Sequence, residues 1–317
     1  MTAITQPTHQ TLPKKKPRYS RLEKREIRWG LFFISPWLIG FALFTLFPMV
    51  ASLVFSVTQF DILHPAGFKF IGLNNYVRLL SDPQVIQSLL ITLKFALFAV
   101  PIGILVPLGI ALLVNAKYLF GKNIFRALFY MPQMISAVAV AVVFGAVLNS
   151  QSGWINLILK SFGIDGPRWF EDEGWVIPAL ALMTIWSIGT TMVVMLAGLQ
   201  NVPTELYEAA RVDGASPARS FVNITVPMMS PVIFYNLVLA IIGSFQVFIA
   251  PYIIGHGNGD PNGATLVYNL YLYKTAFGYL DMSYGATLAW VMFAICLILT
   301  VILFRTQRRW VYYAGGE

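Results

Sequence analysis

Six long apolar stretches constrain this chain more than any other feature of its sequence. A helix that crosses a membrane needs about 20 mostly apolar residues. The stretches cover approximately residues 30–57, 88–114, 127–148, 176–199, 232–254 and 282–304. Only 11% of the residues are charged, whereas a soluble domain has roughly 25%. The sequence therefore excludes a soluble globular fold and predicts an all-α membrane protein with six transmembrane helices.

Lysine and arginine are distributed unevenly between the segments that separate these stretches. If the N-terminus lies inside, the inner segments hold sixteen of them and the outer segments hold five. Because positive residues collect on the cytoplasmic side, both termini are predicted to be inside. Residues 1–29 then form a basic cytoplasmic tail that also touches membrane lipid, and residues 30–317 form the six-span domain. The first stretch is too long for a signal-peptide core and is expected to be retained.

The six spans lack the side chains on which ion coupling or catalysis would depend. They contain no Asp or Glu, and ion-coupled carriers place such a group near the membrane midplane. A stand-alone secondary carrier and a membrane-embedded enzyme are therefore disfavoured alternatives. No phosphate-binding glycine loop, metal-ligand spacing or catalytic constellation is visible. The sequence predicts no catalytic residue, no metal, no bound cofactor and no nucleic-acid partner, so energy for any work must come from another subunit.

The segment between the fourth and fifth stretches, residues 200–231, is longer than a connector needs. With its flanking residues it reads GLQNVPTELYEAARVDGASPARSFVNITVPMMSP. Gly214 permits a sharp backbone break, and Ser216 suits the N-cap of a second helix. Pro227 and Pro231 are expected to separate this second helix from the fifth span. The segment is therefore predicted to be a cytoplasmic helix–turn–helix, whose small residues flanked by acids suit close docking of another protein.

This segment resembles the Glu-Ala-Ala loop of ATP-binding-cassette importer permeases. The matching residues are Glu208, Ala209, Ala210, Asp213, Gly214, Ala215, Ile224 and Pro227. In that family Gly follows Glu by six residues, Ile by sixteen and Pro by nineteen, and this sequence has all three. The strings SPWLIGFALFTLFPMVASLVFSVT, FIGLNNYVRLL and GLQNVPTELYEAA resemble the maltose-type sugar permeases. The resemblance covers nearly the whole chain from about residue 30.

The resemblance implies a non-catalytic permease subunit of a bacterial sugar importer in the plasma (inner) membrane. It implies a second, similar permease, two ATPase subunits that carry ATP and Mg, and an extracellular solute-binding protein. Residues 204–226 would seat on one ATPase, where Glu208 and Asp213 make polar contacts and Gly214 sets the bend. Ala209 and Ala210 would allow close approach. A permease of the same class for a non-sugar solute is the nearest alternative.

The residues expected to line a sugar path lie on the fourth and fifth spans. A sugar site needs hydroxyl-matching polar groups and aromatic faces. The candidates are Trp186, Ser187, Thr190, Asn236, Ser244 and Gln246. Asn236, Gly243 and Gln246 are spaced so that they share one helix face. Packing between helices is the alternative use of such residues, because small and polar side chains commonly line helix contacts in membranes.

Overall fold

The computed structural model describes residues 20–60 and 68–313, so most of the basic tail predicted over residues 1–29 lies outside the described residues. The helices in chain order are α1 (Arg21–Phe41), α2 (Phe47–Ser56), α3 (Asn74–Ser81), α4 (Pro83–Asn115), α5 (Lys122–Tyr130), α6 (Ala137–Val147), α7 (Trp154–Ser161), α8 (Val176–Met183), α9 (Gly189–Gln200), α10 (Thr204–Val212), α11 (Pro217–Ser220), α12 (Val226–Phe245), α13 (Ile249–Ile254), α14 (Tyr268–Tyr273) and α15 (Met282–Thr306). Strands β1 (Thr58–Gln59) and β2 (Lys69–Phe70) pair antiparallel, with Thr58 opposite Phe70.

The chain divides into a first unit, residues 1–52, and a second unit, residues 53–317. In the first unit a capping box starts α1, in which the Ser20 hydroxyl accepts from the Glu23 backbone N–H and the Glu23 carboxylate accepts from the Ser20 N–H. Such reciprocal bonds satisfy two backbone donors that the helix leaves free. Helical structure then continues from Arg21 to Ser56, over the residues predicted as the first span.

The second unit contains three more helices of membrane length and two bent helix pairs. The long helices are Pro83–Asn115, Pro217–Ile254 and Met282–Arg309. The bent pairs are Lys122–Met134 with Ala137–Val147, at 99°, and Val176–Ser187 with Gly189–Gln200, at 59°. The described chain therefore has four helices long and apolar enough to cross a membrane, or six if each bent pair is one span.

The third and fourth apolar stretches are thus not single helices, which composition alone does not reveal. In the third, Pro132 lies in a 3₁₀ turn and Ile135 is extended. The Ser136 hydroxyl then caps α6 by accepting from the Ala139 N–H. In the fourth, a 3₁₀ turn over Thr184–Ser187 ends α8 before α9 begins.

The two breaks meet at Gly189, the first residue of α9. A Cβ built on Gly189 would lie 2.6 Å from the Phe129 carbonyl oxygen and 2.8 Å from the Tyr130 Cα. Both are backbone atoms, which cannot move aside as a flexible side chain could. The Gln133 side chain accepts from the Thr190 N–H at 2.8 Å and so satisfies one free donor at the start of α9. Only glycine allows this crossing of α5 and α9.

Replacing Gly189 with alanine is therefore expected to destabilise the second unit. The added methyl must push two backbone segments apart, and overpacking of this kind typically costs about 1–3 kcal/mol. The midpoint of thermal unfolding in mild detergent should fall accordingly. Gly109→Ala is the matched control, because a Cβ on Gly109, within α4, meets no atom within 4 Å. If both substitutions lowered the unfolding midpoint equally, this would contradict the close approach of Gly189 to the α5 backbone.

The expectation that Pro227 and Pro231 separate the loop from the fifth span is wrong. Helical structure runs unbroken from Pro217 to Phe245 through a π turn at Phe221–Thr225. Pro227 lies directly after the π turn and has no N–H to donate to the preceding turn. The Pro227 carbonyl, which Pro231 cannot bond, accepts instead from the Ser230 hydroxyl at 2.6 Å. Membrane helices accommodate proline in this way because nearby hydroxyls satisfy the freed carbonyl.

The long helix α4 lies at the centre of the second unit. It packs against α8, α9, α12 and α14. Three buried apolar clusters form along it: one with α14 and α15, one with α9 and α12, and one with α6 and α8. This arrangement positions the breaks in the helices beside α4, and the cavities described below open there.

Candidate functional site

The loop between α9 and α12 has a defined bend at Gly214. Its φ is +74°, a left-handed conformation that side chains other than glycine rarely adopt. The Ala215 N–H donates to the Ala210 carbonyl at 2.8 Å, and the Gly214 N–H donates to the Arg211 carbonyl at 3.1 Å. These two bonds are the Schellman motif that closes a helix C-terminus. The sequence prediction of a turn at Gly214 is confirmed.

The second helix of the loop begins at the predicted cap. The Ser216 hydroxyl accepts from the Arg219 N–H, and Pro217 occupies the first turn of α11. Of the residues matching the Glu-Ala-Ala pattern, Glu208, Ala209, Asp213 and Gly214 are exposed, and Ala210, Ala215, Ile224 and Pro227 are half-buried. The loop is therefore a helix–turn–helix whose two acidic residues, together with Ala209 and Gly214, are on the outside.

The exposed side chains of this loop have few partners. Within the described part of the chain, the carboxylates of Glu208 and Asp213 form no ion pair or side-chain hydrogen bond. Val212 is 89% exposed although it is apolar. A surface that combines free carboxylates with exposed apolar side chains is suited to docking of another protein.

Two cavities open where the bent helices meet α4 and α12. The first, of about 430 Å³, is lined by Gln133, Thr184, Trp186, Ser187 and Ala250 among others. The second, of about 280 Å³, is lined by Gly103, Ser187, Thr191, Gly243 and Ser244 among others. Phe95, Thr184, Ser187 and Val247 line both. Of the sequence candidates, Trp186 and Ser187 therefore line the first cavity, and Ser187 and Ser244 line the second.

The other three candidates for the sugar path lie outside both cavities. Asn236 is buried and donates its side-chain amide to the Val232 carbonyl of its own helix at 2.8 Å. Thr190 is exposed at the start of α9, and its N–H binds Gln133. Gln246 is the C-cap of α12, and its N–H donates to the Ile242 carbonyl at 3.1 Å. None of the three lines either cavity.

Phe95, Thr184 and Gln133 line the cavities but were not among the sequence candidates. Phe95 is one apolar residue within an apolar span, and nothing in the sequence distinguishes it. Thr184 donates to the Ala181 carbonyl at 2.6 Å. In the sequence, nothing distinguishes it from the other threonines in the apolar stretches. Gln133 carries the one available signal, because a large amide next to Pro132 within an apolar stretch needs a partner.

A polar network joins helix ends in another part of the second unit. The hydroxyls of Tyr271 and Tyr284 both donate to the Asp82 Oδ2 atom, the latter at 2.7 Å. The Arg78 guanidinium pairs with Asp281 at 2.7 Å and lies 4.0 Å from the centre of the Tyr284 ring. These bonds fasten α14 and α15 to the start of α4. Among the described residues, no three His, Cys, Asp or Glu side chains gather where they could hold a metal ion.

The environment of Asp82 favours its charged form. Burial raises the pKa of this carboxyl, but the hydrogen bonds from Tyr271, Tyr284 and the Gln84 N–H, together with the nearby Arg78 charge, outweigh burial and lower the pKa below its ordinary value. The network therefore contributes stability above the ordinary carboxyl pKa, and this contribution is lost as the pH falls through the lowered one.

Replacing Tyr271 with phenylalanine is expected to lower the free energy of unfolding by about 1.5–3 kcal/mol at neutral pH, because it removes a hydrogen bond to a charged group. The difference from the unmodified protein should vanish at a pH where Asp82 is protonated. Thermal unfolding across this pH range measures it. Tyr273→Phe is the control, because Tyr273 has ring contacts but no side-chain hydrogen bond among the described residues. A pH-independent difference would contradict the assignment to Asp82.

The sequence matches a known family over most of its length. Residues 99–312 match the family described as the binding-protein-dependent transport system inner membrane component. The match covers more than half of the chain. The chain belongs to this family. It is therefore a multi-pass inner-membrane permease, and the loop of residues 200–231 and both cavities fall within the matched region, apart from Phe95 at their edge.

Full-length relatives of this permease are known. The probable ABC transporter permease protein YesP of Bacillus subtilis (strain 168) is 40% identical over 303 residues, covering 94% of this chain and 96% of that protein. The arabinooligosaccharides transport system permease protein AraP of the same organism is 33% identical, covering 85% of each chain. A solved bacterial ABC transporter involved in the import of the acidic polysaccharide alginate contains a chain that superposes with a TM-score of 0.78 at 25% identity, covering 92% of this chain and 99% of that chain.

Proposed function

We propose that this permease is one of two membrane subunits of an ATP-driven importer, and that its substrate is a sugar or a sugar derivative. The observation that carries the proposal is the exposed helix–turn–helix closed at Gly214, whose spacing from Glu208 through Pro227 matches the Glu-Ala-Ala loop. The names of relatives such as AraP support a sugar as substrate. An importer permease for another solute is the second candidate.

Each bent helix pair is one span, so the domain of residues 30–317 crosses the membrane six times with both termini inside. The excess of Lys and Arg in the inner segments supports this orientation. The loop of residues 200–231 and the basic tail of residues 1–29 then face the cytoplasm. A cytoplasmic ATPase can reach the loop only in this orientation.

The loop docks on one of two ATPase subunits, and ATP with Mg binds there rather than on this chain. Glu208 and Asp213 offer their free carboxylates to that subunit. Ala209, Ala210 and Ala215 permit close approach because their side chains are small. Closure of the ATPase pair moves the loop and with it α9 and α12, which turns the path from one side of the membrane to the other.

The two cavities joined at Ser187 form this chain's half of the sugar path, and a second permease completes it. Serine and threonine hydroxyls can exchange hydrogen bonds with sugar hydroxyls, and the Trp186 ring offers an apolar face. The described residues that line the cavities include no charged side chain, which suits a neutral, hydroxyl-rich solute. An extracellular binding protein delivers the solute, as the family description indicates.

Uptake into proteoliposomes tests this function. The permease is reconstituted with the subunits that co-purify with it and with its binding protein. Arabinooligosaccharides, lactose, maltose and alginate oligosaccharides are then compared with histidine. We expect one of the sugars to accumulate only with ATP and to stimulate ATP hydrolysis. Accumulation of histidine alone would favour the non-sugar permease, and sugar uptake driven by an ion gradient without ATP would contradict the proposal.

A further inference from the structure

One partly buried contact joins α10 to the π turn that leads into α12. The Tyr207 hydroxyl of α10 lies 2.9 Å from the Thr225 hydroxyl, at the end of the π turn that leads into α12. Thr225 is only 5% exposed and Tyr207 is half-buried, so the Thr225 end of this bond is shielded from water. Within the described residues it is the only side-chain hydrogen bond that links α10 to another element.

Thr225 belongs to the helical segment that also reaches the cavities. Helical structure continues from Pro217 through Thr225 to Phe245, and Ser244 near its end lines the second cavity. At about 1.5 Å per residue, Thr225 and Ser244 are roughly 28 Å apart along this helix. A displacement of Thr225 is therefore carried along one stiff element to the cavity wall.

The backbone connection between α10 and α11 is a poorer route for such a displacement. It passes through the left-handed turn at Gly214, which is exposed, and a Cβ at this position would meet no atom within 4 Å. The turn is held by its two backbone hydrogen bonds alone, with no packed side chain at Gly214. The Tyr207–Thr225 bond instead spans the two helices directly, across the turn.

We propose that the Tyr207–Thr225 hydrogen bond makes α10 and α12 move together, so that both are positioning residues for coupling ATP hydrolysis to transport. The inference rests on the proposed function, because α10 must be the helix that the ATPase moves. Neither residue needs to touch the ATPase or the substrate. The bond transmits the movement that the exposed face of α10 receives.

The test separates docking from transmission with a cysteine reporter. Cys296 is the only cysteine in the sequence, so Cys296→Ser with Gly243→Cys places a single thiol in the second cavity, at a position where a Cβ meets no atom within 4 Å. The complex is reconstituted in liposomes, and the rate of thiol modification is measured with ATP and with ATP plus vanadate. We expect vanadate trapping to change the rate in this parent protein.

In this background, Tyr207→Phe and Thr225→Val are each expected to reduce the nucleotide-dependent change by about two- to tenfold, the range for loss of one hydrogen bond. The amount of ATPase that co-purifies should stay constant. Thr225→Ser keeps the hydroxyl and should restore the response. Tyr235→Phe is the control, because Tyr235 is exposed on α12 and its side chain has no hydrogen bond within the described residues.

Three outcomes would overturn the inference. The first is an unchanged response in both Tyr207→Phe and Thr225→Val. The second is loss of the ATPase from these variants, which would show that the bond shapes the docking surface. The third is a parent protein that retains its ATPase but shows no response to vanadate. A parent protein that purifies without any ATPase would instead overturn the proposed function, and the inference with it.

Discussion

Replacing Gly214 with leucine is expected to reduce ATP-driven uptake to background while the protein still inserts into the membrane. A left-handed conformation costs a residue with a side chain about 1–2 kcal/mol, which corresponds to about five- to thirtyfold in the population of the turn. The side chain would also project into open space, where we propose that the ATPase docks. Strain and steric blockage therefore act together. Uptake into proteoliposomes and the amount of membrane-inserted protein are the measurements.

The chain contains a closely matched control at Gly163. Its φ is +77°, and a Cβ there also meets no atom within 4 Å. The Gly163 and Ile164 N–H groups close the end of α7 with the same Schellman bonds, to Lys160 and Leu159. Gly163→Leu therefore adds the same backbone strain outside the loop and should keep most of the uptake. Equal losses in both variants would show that strain alone, without docking, explains the effect at Gly214.

Replacing Ser187 with tryptophan is expected to abolish sugar uptake while ATP hydrolysis continues. Ser187 lines both cavities, so a large side chain there fills the junction between them. The loop that docks on the ATPase is unchanged, and the ATPase should still co-purify. Uptake and ATP hydrolysis are measured on the same proteoliposomes, so that a block of the path is distinguished from loss of assembly.

Ser161→Trp is the control for this substitution. Ser161 is exposed at the end of α7 and donates only to the Ile158 carbonyl of its own helix. The Ser161→Trp variant should take up sugar at the normal rate. Normal uptake in Ser187→Trp would place the sugar path elsewhere, and loss of ATPase co-purification would show that the side chain disturbs the fold rather than the path.

The features that the sequence predicts correctly depend on residues close together in the chain. The turn at Gly214 and the cap at Ser216 need only a few neighbouring backbone groups, so residue type and spacing suffice to find them. The long helices are equally local, because about 20 consecutive apolar residues determine them. Trp186, Ser187 and Ser244 each line at least one of the two cavities, and their role in a sugar path stays a prediction.

The features that the sequence does not predict depend on contacts between distant segments. Glycine is required at Gly189 because α5 crosses α9 there. The continuity past Pro231 is an exception, because the Ser230 hydroxyl that satisfies the Pro227 carbonyl is only three residues away from it. Asn236 was expected in the path because helical spacing identifies shared faces but not which face meets a cavity. Gln246 rests on the same spacing, and it also lines neither cavity. Phe95 has no polar signature at all.

Cross-linking from the loop to the ATPase tests the central claim most directly. In a Cys296→Ser background, Ala209→Cys places one thiol on the exposed face of α10, and Ser161→Cys places one at the end of α7 as the control. Each tagged protein is treated with a short thiol-to-amine cross-linker in its native membrane, purified in mild detergent and identified with its partners. We expect Ala209→Cys to yield one major adduct with an ATP-binding-cassette ATPase, and Ser161→Cys to yield none while the same ATPase co-purifies. A chain that purifies alone from a preparation in which other complexes stay intact, or an ATPase adduct formed equally from both positions, would contradict the account.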